Sequence, residues 1–241
     1  MKTIDIKGAV VDDDTAAFYS FFGMSSVSPS AVSQVLNDGD DDDDVQVNIA
    51  SNGGDVFAAS EIFTMLKSSS ATVTVNIQGL AASAASVIAM AGDKVNISPT
   101  AQIMIHQAAV NAGGNKDDLA HEATVLDGID QSIALAYAQK TGMPEDDLLN
   151  MMAQETWLTA TDAVDKGFAD EIMFVEDNQP AFANDVGAIV PKAAVNKLLN
   201  LISKSERPVN KQQNKTTDSH LTSDLKQSKV AILMGKNKET N

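Results

Sequence analysis

Ser83 lies in a segment whose neighbours suit it to nucleophilic chemistry. Gly79-Leu80-Ala81-Ala82-Ser83-Ala84-Ala85-Ser86 follows the β-branched run Thr72-Val73-Thr74-Val75-Asn76-Ile77 and leads into an alanine-rich stretch, Val87 to Ala91. That order predicts a strand, a sharp turn at Gly79 and a helix start. Small neighbours let a substrate backbone approach, and free N–H groups at a helix start can bind an oxyanion. The same letters also suit a buried helix in which Ser83 and Ser86 only pack. A serine nucleophile needs a base within reach and a group that orients the base. Of the three histidines, His220 falls in a polar tail and His121 on a long helix. His106 ends the apolar run Ala101-Gln102-Ile103-Met104-Ile105, at the carboxyl end of a predicted strand, where α/β proteins concentrate ligand sites. A lone histidine there can equally be structural. Many carboxylates could serve as the acid; Glu155 stands out because it precedes the short apolar segment holding the only tryptophan, Trp157. Gly53 and Gly54 follow another predicted strand and offer bare backbone amides for an oxyanion hole or an extended peptide.

The elements that must position these residues alternate. Lys2–Val11 reads as a strand, Thr15–Phe22 as a helix, and Ser28-Pro29-Ser30 as the cap of a helix to Asn37. An acidic loop with five consecutive aspartates, 40–44, is expected to be a solvated linker rather than a calcium site. Val45–Ile49 predicts a strand ended by Ser51-Asn52-Gly53-Gly54. Asp55 then caps a helix with Phe57, Ile62, Phe63 and Leu66 as its apolar positions. After the Ser83 helix come strands at 94–98 and 102–105 and a long helix opened by Asn115 and closed by Gly142. A helix begins near Pro144, a capping box at Thr159–Asp162 starts another, and Glu171–Val175 reads as a last strand. Such alternation implies α/β architecture with parallel strands.

Composition narrows the function classes. With 241 residues and 44% hydrophobic content the chain can bury one sizeable core. Residues 1–191 carry 7 Lys/Arg against 29 Asp/Glu, a net −22, which repels nucleic acid. Residues 192–241 carry 10 against 4, a net +6, in a polar stretch expected to be a disordered tail from about 203. An apolar patch at Val230–Met234 within it would suit a docking peptide. No segment has the length and apolarity of a membrane span, and the first residues lack a signal-peptide pattern. The absence of cysteine excludes disulfides and cysteine chemistry, and a cytoplasmic location is expected. The expected divisions are a catalytic domain at 1–178, a connecting segment with a short helix at 179–202, and the tail at 203–241.

Four blocks in this order resemble the Clp protease proteolytic subunit family, in particular its phage and prophage head-maturation branch. The resemblance covers about residues 2–175. It implies a superhelix of repeated β-α-β units, shared with the crotonases, and a protruding handle helix at 115–141 that packs one ring of subunits on another. Gly79-Leu80-Ala81-Ala82-Ser83 matches the family's nucleophile block and Met104-Ile105-His106-Gln107 its base block. Ser51-Asn52-Gly53-Gly54 matches the block that supplies one oxyanion amide, from Gly54; Ala84 supplies the other, and Gly53 and Gly54 bind substrate. The family's acid is usually an aspartate, where this sequence has Glu155 in Glu155-Thr156-Trp157-Leu158-Thr159-Ala160. Because the chain starts almost at its first core strand, the family's axial gating segment is expected to be missing, which favours the phage branch over partnership with an unfoldase.

The resemblance therefore implies a serine endopeptidase of homo-oligomeric rings, acting on protein or peptide substrates without metal or nucleotide of its own. No G-x-x-x-x-G-K-[ST] loop is present, so any ATP dependence would come from another protein. Processing of phage capsid or scaffold proteins is the expected role; ATP-dependent proteolysis with an AAA+ unfoldase, or an inactive scaffold homologue, are the alternatives. Crotonase-like acyl-CoA chemistry would need no nucleophilic serine, and a serine–lysine peptidase would need a lysine base and usually a membrane anchor.

Overall fold

A computed structural model describes residues 1–38 and 44–175. The acidic loop falls mostly outside the described residues, as do the divisions at 179–202 and 203–241, His220 and the Val230–Met234 patch. Met1–Glu176 is one compact unit.

The described residues form an α/β arrangement around one eight-stranded sheet. The strands are β1 (Lys2–Val10), β2 (Ser26–Val27), β3 (Val45–Gly54), β4 (Val73–Ala82), β5 (Lys94–Ile97), β6 (Gln102–Ile105), β7 (Thr156–Thr159) and β8 (Glu171–Ile172). The helices are α1 (Asp13–Phe21), α2 (Pro29–Leu36), α3 (Val56–Lys67), α4 (Ala84–Ala89), α5 (Lys116–Thr141), α6 (Glu145–Ala153) and α7 (Ala160–Asp165). Along the sheet the order is β2-β1-β3-β4-β5-β8, and β6 pairs with both β4 and β7. All pairings are parallel except β6 with β7. Ile4, Ile6, Val47, Ile49, Val75 and Ile77 are buried at alternate positions of the three central strands, against Ile62 and Leu66 of α3.

One change of partner builds the site. The first half of β4 pairs with β5, from Thr74–Lys94 to Ile77–Ile97, and its second half pairs with β6, from Leu80–Gln102 to Ala82–Met104. The carboxyl ends of β4 and β6 are thereby neighbours. Several boundaries differ from the sequence expectation. The turn expected at Gly79 does not occur there; β4 runs on to Ala82, and Ser83 itself turns the chain, with φ 54° and ψ −125°. β3 likewise continues through Gly53 and Gly54 to keep pairing with β1, with register shifts after Lys7 and Ile49. Helix α1 starts two residues before the expected Thr15, because the Asp12 carboxylate accepts the Thr15 amide at 2.8 Å. Phe57, expected as an inward apolar position of α3, is exposed, and the final strand stops at Ile172. The long helix follows its caps closely: Asn115 and Asp118 form a reciprocal capping box, and Gly142 ends it at φ 71°.

Candidate active site

Sheet register brings the serine and the histidine together. Ala82 is level with Met104, and the Ser83 amide donates to the Met104 carbonyl at 2.9 Å. His106 follows β6 directly, so its ring comes alongside Ser83, with Nε2 2.7 Å from Oγ. With the ring proton on Nδ1, Nε2 accepts the Ser83 hydroxyl proton, the contact that a general base requires. Both residues are half-buried.

Ser83 holds a backbone conformation that L-residues rarely adopt, a strain of order 1–3 kcal/mol that the surroundings must sustain. Its carbonyl accepts the Ser86 amide at 2.9 Å and the Ser86 hydroxyl at 2.6 Å. Gly53 packs directly beneath: a Cβ there would lie 2.5 Å from the Ala82 carbonyl oxygen and 2.8 Å from the Ala84 nitrogen. Gly53 also sits at φ 90°, so both space and conformation demand glycine. Ala84 is the first residue of α4, whose amide has no intrahelical acceptor. Gly54, Ser83, Ala84 and His106 line one cavity of about 50 Å³ with Val56, Ile133 and Tyr137. A larger apolar groove of about 430 Å³ between α3 and α5 shares Val56, Val87 and Ile133 with it.

Glu155 is placed differently. Residues 102–105 of β6 pair antiparallel with 159–156 of β7, so His106 and Glu155 each lie one residue beyond the last pair, Ile105 with Thr156. Yet Glu155 is exposed, and its Oε1 accepts from Trp157 Nε1 at 3.2 Å. Among the described hydrogen bonds, none joins it to the imidazole, whose bond is to Ser83. Glu155 also has a left-handed backbone, φ 48°, in the turn between α6 and β7.

Sequence reasoning missed a second carboxylate. Asp130 of α5 is buried, and its Oδ1 accepts the Ala108 amide at 2.7 Å, pinning the segment just after His106. The i, i+3, i+7 spacing of Asp130, Ile133 and Tyr137 was the available signal for an inward face of α5. His121, on the same helix, is exposed. Among the described residues no group of three or more His, Cys, Asp or Glu is placed to hold a metal. No helix among them is long and apolar enough to cross a membrane.

A serine at a strained strand-to-helix turn, with an imidazole on its hydroxyl and backbone amides beside it, is the arrangement of a serine hydrolase. Sequence comparison gives the family. The profile of the Clp protease family matches residues 24–176. The chain is 30% identical over 177 residues to the ATP-dependent Clp protease proteolytic subunit of Bacteroides fragilis, covering 72% of this chain and 80% of that protein. It is 29% identical over 153 residues to the ATP-dependent Clp protease proteolytic subunit of Deinococcus radiodurans, covering 62% and 75%. The subunit of the same description from Pleurastrum terricola is 31% identical over 137 residues, covering 56% and 70%. The chain belongs to the Clp protease family and is a serine peptidase of that family.

Proposed function

We propose that this chain is the proteolytic subunit of an ATP-dependent protease, cleaving peptide bonds through Ser83 and His106. The observation that carries the catalytic part is the 2.7 Å contact between Ser83 Oγ and His106 Nε2 at the end of two paired strands. Ser83 attacks the scissile carbonyl carbon while His106 takes its proton. The tetrahedral oxyanion sits against the amides of Gly54 and Ala84, each such donor being worth about 10²–10³ in rate. His106 then protonates the leaving amine, and water, activated by the same imidazole, hydrolyses the acyl-enzyme. Glu155 is the acid of the triad: a change of its side-chain rotamer away from Trp157 would direct it to the imidazole. Gly53 and Gly54, at the carboxyl end of β3, bind the backbone of an extended peptide, and the apolar groove beside Val56 and Ile133 receives an apolar side chain next to the scissile bond.

The coupling to an ATPase rests on the relatives, which are named as ATP-dependent proteolytic subunits. Those relatives are not named for capsid maturation, so phage head processing has less support than an AAA+ partner. Homo-oligomeric rings, in a crotonase-like superhelical subunit with α5 as the handle, accord with apolar residues exposed in one copy: Phe18, Phe21 and Phe22 on and just after α1, Leu119, Val125 and Leu135 on α5. A cytoplasmic site of action follows from the same reading.

Hydrolysis of a fluorogenic peptide and of an unfolded protein tests this, with and without an AAA+ unfoldase and ATP. Peptide cleavage abolished in Ser83→Ala, and protein cleavage dependent on unfoldase and ATP, is the expected result. Cleavage that survives Ser83→Ala would reject the catalytic assignment. ATP-independent processing of a capsid or scaffold protein at one site would favour head maturation instead.

A further inference from the structure

The long helix α5 reaches the nucleophile from a side that neither strand supplies. Ile133 and Tyr137 line the cavity that holds Ser83 and His106. The Tyr137 hydroxyl lies 2.8 Å from Ser86 Oγ, and Ser86 Oγ donates to the Ser83 carbonyl at 2.6 Å. A serine hydroxyl has a single proton. Ser86 has committed its proton to Ser83, so Tyr137 must donate to Ser86. Burial pushes the Tyr137 phenol above its ordinary pKa, only partly opposed by the Ser86 bond, so it remains a donor through alkaline pH. The result is a directed chain of two fully buried hydroxyls, Tyr137 to Ser86 to the backbone carbonyl of the strained residue.

Two hydroxyls in an apolar core are costly to bury, and Phe and Ala would fill the same space without them. What distinguishes this pair is its terminus, the carbonyl of the one residue whose conformation aims the reactive oxygen. We propose that Tyr137 and Ser86 are positioning residues for the nucleophile: they hold the Ser83 turn so that Oγ faces His106, and they tie the seating of α5 to the rate of acylation. The inference rests on the Ser83–His106 reading and adds to it two residues that touch no reacting atom.

The test uses the full chain with Tyr137→Phe, Ser86→Ala, the double variant and Ser83→Ala. Three quantities are measured well below the melting temperature: the second-order rate of labelling by a fluorophosphonate, kcat and KM on a fluorogenic peptide, and Tm. Ser86→Ala is expected to lower labelling and kcat by about 10-fold to 100-fold, as loss of reactive geometry does. KM should stay within about twofold, because binding is not what the pair supports. Tyr137→Phe should cost roughly fivefold alone and add little to Ser86→Ala, since both act through one chain. A purely structural pair would change Tm and leave the labelling rate of the folded protein at the wild-type value. Labelling of Tyr137→Phe or Ser86→Ala at that value, or equal effects of Tyr137→Phe in both backgrounds, would overturn the inference alone. Undiminished labelling in Ser83→Ala would overturn the underlying reading and the inference with it.

Discussion

Two parts of the candidate site are held in different ways. On one side, Ser83 and His106 follow parallel strands whose register sets them side by side, and buried partners fix the backbone around each: Ser86 on the Ser83 carbonyl, Asp130 on the Ala108 amide. On the other side, Glu155 sits in the turn before β7, exposed, with its carboxylate bonded to Trp157 of β7. Backbone register determines the first side and a side-chain rotamer the second. The serine–histidine contact is thus complete in a single subunit, while the proposed acid, Glu155, is bonded elsewhere.

This contrast can be sharpened or broken by substitution. The largest effect is expected from His106→Ala, a fall of about 10⁴-fold or more in kcat/KM with little change in Tm, since the base acts as a unit with the nucleophile. Gly53→Ala forces a Cβ into the backbone of the Ser83 turn; fluorophosphonate labelling should fall about 100-fold, as for a displaced reactive group. Glu155→Gln should cost about 10-fold to 100-fold in kcat, short of the roughly 10⁴-fold seen when a firmly held triad acid is neutralised. A full 10⁴-fold loss would show that the acid is as fixed as the dyad, and wild-type activity would remove Glu155 from the mechanism. Asp130→Ala leaves the Ala108 amide unpaired and should lower stability by about 1–3 kcal/mol, measured by urea denaturation, with Asp130→Asn recovering most of it.

The smallest effect is expected at the far end of β7, where the Thr159 hydroxyl and amide hold the Asp162 carboxyl below the usual carboxylate range. A carboxyl with a lowered folded-state pKa stabilises above its unfolded pKa, and that contribution is lost as pH falls through the folded value. Thr159→Ala should therefore lower Tm slightly near neutral pH, with the difference from wild type narrowing in acid. Labelling of Ser83 should be unchanged.

The Ser83–His106 contact was legible in part: His106 ends an apolar, strand-forming run, and Ser83 lies among small residues at a strand-to-helix transition, both places where ligands bind in an α/β sheet. Ser83 as the turn residue was not legible. Gly79 carries the stronger local signal, and only pairing of Leu80–Ala82 with Gln102–Met104 extends β4 past it. Gly53 and Gly54 similarly read as a strand end because glycine weakens strands in isolation, whereas pairing with β1 carries β3 through them. The antiparallel β7 was hidden because its last residue, Thr159, is also the cap of α7, and the capping box is the stronger local signal. Contacts from α5 were invisible for a different reason: Tyr137 and Ser86 are 51 residues apart, and no local pattern announces a hydrogen bond at that separation. The orientation of Glu155 depends on a rotamer, which composition and spacing do not encode.

The central claim is that the Ser83 hydroxyl is activated by His106. Its most direct test is to label the full chain with a fluorophosphonate, digest it and locate the adduct by mass spectrometry. A single adduct on the peptide containing Ser83, lost in His106→Ala, is the predicted result. An adduct on another serine, or one on Ser83 that forms as fast without the imidazole, would contradict it.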